Sequence, residues 1–374
     1  MRIAITTDQY LPMVSGLVDS VAILAQQLRK MGHEVRIYAP NISGAQKEEG
    51  VFRFPSLAIP GSGSTMLLNL PFGAMRDIRA FKPEVIHTHL FGMAGFLAIR
   101  ASRRLKVPLV GTDHTFPADY LHYLKLNWGP FPYLVRKYAT WFYNRCDLVT
   151  IPSENLKKEL VEYGLYKPTK IISNHVPGDV FRPLLKEECK KKFSIAGKAV
   201  LIFGRIAREK SLDVALKVYK EVSARSDARL IFVGDGPYKE GVEKKVKEMG
   251  LESRTRFLGV LRGEQLVEAI NACEIFLMTS TSENQPMSML QAMASGLPVV
   301  IANAGGSPEY VEEGESGHIV ESSNIKVFAD RVLELLQNEE LAQKMGERGR
   351  AISLQFSPEK ITAQFEEIYK NLVK

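Results

Sequence analysis

The chain has 374 residues, 45% of them apolar and 24% charged, which suits two globular domains and excludes disordered, collagen-like and disulfide-scaffold classes. It has no run of about 18 uninterrupted apolar residues to predict a transmembrane helix, and its three scattered cysteines, Cys146, Cys189 and Cys273, read as reduced thiols without metal spacing. The net charge of +7 is uneven: residues 1–185 hold 22 Lys/Arg against 14 Asp/Glu, or +8, and the remainder 27 against 28, or −1.

Met1-Arg2-Ile3-Ala4-Ile5 enters a strand pattern at once and lacks the basic, apolar and cleavage regions of a signal peptide, so a cytoplasmic protein is expected. Arg2–Thr6 reads as a strand and Leu17–Met31 as an amphipathic helix closed by Gly32. Glu34–Tyr38, Val85–His87, Leu109–Thr112, Leu148–Ile151 and Lys170–Ile172 read as further strands, with a helix over about residues 92–105. The alternation restarts at Ala199–Phe203. Helix Leu212–Ser223, strand Arg229–Val233, helix Lys239–Met249, strand Thr255–Leu258, helix Glu264–Asn271 and strand Glu274–Met278 follow. An Ala-rich helix, a stop at Gly296 and the strand Val299–Ala302 come next, and Pro358–Lys374 has apolar residues at helical spacing. This is α/β alternation, and it predicts two parallel, doubly wound sheets. The join falls around Pro183–Lys198, giving domains over 1–185 and 186–357.

Chemistry-bearing residues gather where strands end. Phe203-Gly204-Arg205-Ile206-Ala207-Arg208-Glu209-Lys210 places a turn glycine and cations between a strand and a helix, a setting for a diphosphate. Val233-Gly234-Asp235-Gly236-Pro237 is a second such turn, and Phe257-Leu258-Gly259-Val260 ends the next strand. Ser280-Thr281-Ser282-Glu283-Asn284-Gln285-Pro286-Met287-Ser288 puts a carboxylate in a polar loop that runs into a helix. In the first half, Gly16 opens a helix after Tyr10–Ser15, and Asp113-His114 follows a strand. His87-Thr88-His89 has no evident third ligand, and no Asp-x-Asp pair occurs, so no metal is expected. No Gly-x-Gly-x-x-Gly fingerprint points to a nicotinamide cofactor.

Glu283 to Gln291, together with Gly204-Arg205 and Glu209-Lys210, resembles the signature of retaining GT-B glycosyltransferases of the family 4 type. The resemblance implies two Rossmann-like doubly wound domains facing across a cleft, with the last helix, 358–374, crossing back to the first. It implies Glu283 on the donor sugar, Arg205 and Lys210 on the diphosphate, and His114 on the sugar from the first domain. Gly16, Gly204, Gly234, Asn284, Gln285, Pro286, Met287, Ser288, Gln291 and Val260 then fall at donor-binding positions. The family has a second glutamate on the ribose where this chain has Gln291; that departure weakens the grip on the ribose, changes nucleotide preference, or marks a non-catalytic nucleotide-sugar-binding relative. No cofactor is implied, since the nucleotide-sugar (a UDP-sugar such as UDP-glucose, or alternatively a GDP-sugar) is a substrate.

Asp113-His114-Thr115-Phe116-Pro117-Ala118-Asp119-Tyr120-Leu121-His122-Tyr123 resembles glycosyltransferases that modify diacylglycerol or phosphatidylinositol, which makes Asp113, Asp119, Tyr120 and Tyr123 acceptor candidates. The aromatics from Trp128 to Tyr143 line an apolar acceptor groove or membrane interface, or else pack two helices. Ser64–Lys82 joins apolar residues to Arg76, Arg79 and Lys82, as an interfacial anchor or a buried loop and helix. With the basic first half, this favours a lipid or lipid-linked acceptor and peripheral association with an anionic membrane surface on its cytoplasmic side, and a soluble sugar acceptor is the alternative. Nucleic acid is not expected, because the cations do not cluster with aromatics in a binding module.

Overall fold

A computed structural model describes residues 1–13, 15–58, 67–114 and 128–373. The chain divides into two compact units, Met1–His175 with Pro358–Lys374, and Val176–Ser357. The predicted join at residue 185 therefore lies inside the second unit.

The first unit holds strands β1 (Arg2–Thr7), β2 (Glu34–Asn41), β3 (Val51–Ala58), β4 (Leu67–Asn69), β5 (Val85–His89), β6 (Leu109–Thr112), β7 (Leu148–Ile151) and β8 (Thr169–Ile171). They form one sheet in the order β4-β3-β2-β1-β5-β6-β7-β8, parallel except for the β3–β4 pair. Sequence reasoning passed over β3 and β4. Pro55 interrupts the apolar run of β3, and a proline in a run argues against a central strand. The helix Pro358–Val373 belongs to this unit and buries Ile361, Phe365, Ile368 and Tyr369.

The second unit holds β9 (Ala199–Phe203), β10 (Arg229–Val233), β11 (Thr255–Phe257), β12 (Ile275–Met278), β13 (Val299–Ala302) and β14 (Gly317–Val320). Its order is β11-β10-β9-β12-β13-β14, with every neighbouring pair parallel. These strands are near-continuous apolar runs because helices cover both faces. Val200, Ile202, Leu230 and Phe232 pack on one side with the helices Leu212–Ser223 and Ile325–Gln337. Leu201, Ile231 and Val233 pack on the other with Gly263–Asn271 and Met287–Ala294. The alternation along one strand thus feeds two separate cores. Lys186–Phe193, read as a polar join, forms a helix whose one fully buried side chain is Cys189.

Candidate functional site

In the second unit β9 and β12 lie side by side where the strand order reverses. Loops leaving such a pair diverge and open a crevice outside the carboxyl ends of the strands. β9 leads into Gly204, Arg205 and the 3-10 turn Arg208–Lys210, and β12 leads into Thr279 to Glu283. There Lys210 Nζ forms an ion pair with Glu283 Oε1, and Arg205 Nη2 pairs with Glu209 Oε1. The carboxylates are mostly covered: the Glu283 side chain is 13% exposed and that of Glu209 7%. Deleting either member of such a pair strands a partly desolvated charge.

Three hydroxyls bind the two loops together. Thr279 Oγ1 donates to the carbonyl of Ser211 at 3.0 Å, and Ser280 Oγ and Ser282 Oγ donate to the carbonyl of Glu209 at 3.2 and 3.4 Å. The turn carrying Lys210 is therefore strapped by the loop carrying Glu283. From the other side, the Gly306 amide donates to the Glu283 carbonyl at 2.7 Å. Gly305 has φ +61°, and a Cβ there would stand 2.3 Å from that carbonyl oxygen. Glu209, the strap and Gly305-Gly306 were not among the predicted site residues. The run of hydroxyls and the glycine pair after a strand were the available signals.

Asn284 and Gln285 are buried, and Pro286 precedes the helix Met287–Ala294. Its N-cap, Pro286, has no side-chain group to cap it, so the partial positive charge of the helix start suits an anion. Ser288 Oγ lies 3.8 Å from where a Cβ on Gly204 would be, which sets the helix start beside the Arg205 loop. Gln291 is buried one turn further along the same helix. Gly234 has a packing duty: its φ is +134°, and a Cβ would fall 1.9 Å from the Gly204 carbonyl oxygen. Val260 is exposed beyond β11, two strands away from β9. The structure thus brings Gly204, Arg205, Lys210, Glu283 and Ser288 together, with Gly234 packed on Gly204 and its amide donating to the carbonyl of Gly259, the neighbour of Val260, at 2.8 Å.

In the first unit, Asp113 and His114 follow β6 and are buried. His114 Nε2 lies 2.9 Å from His89 Nδ1 at the end of β5. His87 bonds to the Tyr369 hydroxyl at 2.7 Å through Nδ1 and to Thr112 Oγ1 at 2.6 Å through Nε2. His175 Nε2 meets Thr362 Oγ1 at 3.1 Å. Burial keeps this group neutral: His87 and His175 are pushed down to about 3, and His114 to about 4 against the favourable bond from Asn174. The sequence signal for His89 was its pairing with His87 on one strand. Gly16 begins the helix Gly16–Lys30, capped by Ser15, whose Oγ accepts from the Val18 amide at 3.3 Å. Asp119, Tyr120 and Tyr123 lie outside the described residues, as do residues 64–66 of the apolar segment and 124–127 of the aromatic one. Among the described residues no cluster of three or more His, Cys, Asp or Glu is arranged to hold a metal.

The aromatic helix Phe131–Tyr143 divides its side chains. Phe142 and Tyr143 are buried, whereas Trp141 is 44% exposed and stacks on Tyr138 at 5.9 Å. Phe96 of the helix Met93–Leu105 joins them 6.1 Å from Trp141, and the Arg145 guanidinium lies 3.4 Å over the Trp141 ring. Arg100, Arg103 and Arg104 are exposed on the helix of Phe96. Leu68 and Phe72 are exposed ahead of the helix Ala74–Phe81, which exposes Arg76 and Arg79. Among the described residues no helix is long and apolar enough to cross a membrane.

Residues 186–352 match the family Glycosyl transferases group 1, and residues 14–179 match Glycosyltransferase Family 4. An alpha-monoglucosyldiacylglycerol synthase of Streptococcus pneumoniae is 29% identical over 319 residues, covering 82% of this chain and 72% of the relative. A second protein of that name, from Acholeplasma laidlawii, is 25% identical over 394 residues, covering 100% of this chain and 98% of the relative. The crystal structure of Anabaena HepE in complex with UDP shares the fold with a TM-score of 0.81 at 20% identity, covering 100% of both chains. With its two halves matching these two families in turn and its fold shared end to end with a GT-B structure, the chain belongs to the GT-B glycosyltransferases.

Proposed function

We propose that this glycosyltransferase is retaining and metal-independent, and that it moves a hexose from a nucleotide-sugar to a lipid or lipid-linked acceptor at a membrane surface. The observation that carries the donor half is the convergence of Arg205, Lys210, Glu283 and a helix start with proline at its N-cap at the switch point of the second unit. Arg205 and Lys210 take the diphosphate, and Glu283 accepts hydrogen bonds from the sugar hydroxyls. As the bond from the anomeric carbon to phosphate breaks, its electron pair leaves with the nucleoside diphosphate, and the cations stabilise the growing charge. The acceptor oxygen attacks on the same face, and its proton passes to the leaving phosphate oxygen. His114 contributes a polar contact to the sugar. A UDP-sugar is the preferred donor, a choice supported by the UDP held in the HepE structure.

The acceptor half is supported by the names of the two synthases and by the exposed Phe96, Tyr138 and Trp141 beside arginines. Aromatic rings with adjacent cations suit an anionic membrane interface, here the cytoplasmic face. The test is release of UDP from UDP-glucose with anionic vesicles containing diacylglycerol, with the product's anomeric configuration read by NMR. Acceptor-dependent release and an α-linked product are expected. Release only with soluble sugars would contradict the lipid acceptor, and a β-linked product would contradict retention.

A further inference from the structure

We propose that Arg208, two residues before Lys210 on the same turn, is a further donor-binding residue, a cation held on the ring of Tyr238 and kept for the diphosphate. The proposal rests on the reading above that Arg205 and Lys210 take the diphosphate, and it names the residue that supplies the charge those two lack.

The other charges of the site are already paired. Arg205 meets Glu209 and Lys210 meets Glu283, so the charges of these four side chains cancel. A diphosphate brings negative charge that such pairs do not balance, and more develops as its bond to the sugar breaks. Arg208 is the remaining cation between Gly204 and Ser211. It is exposed, and among the described residues its guanidinium makes neither a hydrogen bond nor an ion pair.

What holds Arg208 is a ring. Its guanidinium carbon lies 4.6 Å from the centroid of Tyr238. The ring is itself fixed. Its hydroxyl donates to Asp213 Oδ1 at 2.9 Å, and a Cβ on Gly241 would stand 2.4 Å from its Cε2 atom, so a larger residue there would push the ring away. Asp213 is paired with Lys245 through Oδ2, so both of its oxygens are engaged without Arg208. The loops of Arg205 and Tyr238 run side by side: the Ile206 amide donates to the Asp235 carbonyl at 2.9 Å, and the Tyr238 amide to the Ile206 carbonyl at 3.0 Å. Arg208 therefore stands where the loops after β9 and β10 meet, and the Lys210–Glu283 pair where those after β9 and β12 meet. A donor whose sugar meets Glu283 then presents to Arg208 the phosphate next to the nucleoside. An arginine stacked on an aromatic face keeps its planar fork of N–H groups for an oxyanion, and being pre-organised it loses less freedom on binding.

The experiment is calorimetric titration of the full chain with UDP at low and at physiological ionic strength. Arg208→Gln should raise the Kd for UDP about tenfold, the loss expected for a charge-assisted bond. The salt dependence of binding should become shallower in that variant, because a screened charge contact is gone. Arg208→Lys keeps the charge without the fork, and its Kd should fall between those of Arg208→Gln and wild type. Tyr238→Leu should weaken UDP binding about threefold, and adding it to Arg208→Gln should weaken binding no further, since the ring acts through the guanidinium. A Kd within about twofold of wild type in Arg208→Gln would overturn the proposal. So would an unchanged salt dependence, an Arg208→Lys no better than Arg208→Gln, or additive losses in the double variant. Wild-type protein that binds neither UDP nor GDP would instead sink the assignment of Arg205, Lys210 and Glu283 to the donor, and this proposal with it.

Discussion

Lys210 and Glu283, 73 residues apart in sequence, form an ion pair because β9 and β12 are neighbours at the reversal of the strand order. Neither residue is placed by local sequence alone. Each sits on a loop that starts from a buried apolar strand, and parallel pairing carries the two loops to the same edge.

The strap around that pair makes a first prediction. Ser280→Ala and Thr279→Val each remove one hydroxyl bond across the two loops, which is worth about 0.5–1.5 kcal/mol. Melting temperature should fall by a few degrees, on the order of what such a loss produces in a domain of this size. Turnover should fall more in the double variant than either single loss predicts, since both bonds hold one turn. Kinetics additive within error would show that the strap does not act as a unit.

Gly305→Ala makes a sharper one. The substitution meets both a φ of +61° and a carbonyl oxygen 2.3 Å away. Strain of this kind costs about 1–3 kcal/mol, and relief requires Glu283 to move. We expect turnover to drop at least about tenfold while the protein stays folded by circular dichroism. Wild-type turnover would show that the position of Glu283 does not depend on this contact.

The fold and the donor residues were legible for different reasons. All strands of the two sheets except β3, β4 and β14 announced themselves as short apolar runs, and Arg205, Lys210 and Glu283 stood after two of them. β3 was missed because Pro55 spoils its pattern, and the helix Lys186–Phe193 because it buries almost nothing. The strap and Gly305 were not legible, because a serine that donates to a carbonyl some 70 residues away looks like any loop serine. The partition of the aromatic helix into Phe142 inside and Trp141 outside also needed the neighbouring helix to define the faces.

The histidine group predicts acid sensitivity. His87, His114 and His175 have folded values of about 3 to 4, chiefly through burial, against about 6.5 in the unfolded chain. The unfolded state therefore binds more protons between those limits, and stability present above about pH 6.5 is lost as pH falls toward 4. Each histidine contributes a slope approaching about 1.4 kcal/mol per pH unit in that window. Urea unfolding at pH 7, 6 and 5 should show this decline, and His87→Gln should flatten it. Equal stability at pH 7 and pH 5 would contradict the neutral, buried assignment.

The exposed aromatic patch predicts a separable membrane function. Phe96→Ser with Trp141→Ser removes two rings from the surface beside Arg145. Flotation with anionic vesicles should fall severalfold, with the donor Kd unchanged, because neither ring is among the residues assigned to the donor. Undiminished flotation would move the membrane contact elsewhere.

The most direct test of the account is the turnover number of Glu283→Gln with UDP-glucose and a lipid acceptor, measured where circular dichroism shows the variant folded. Glutamine keeps the size and one acceptor oxygen but removes the charge that faces Lys210. The account predicts a fall in kcat of about a hundredfold or more, comparable to the loss of a principal electrostatic contact in other enzymes. A kcat within about threefold of wild type would contradict the claim that the Lys210–Glu283 pair is the heart of the donor site.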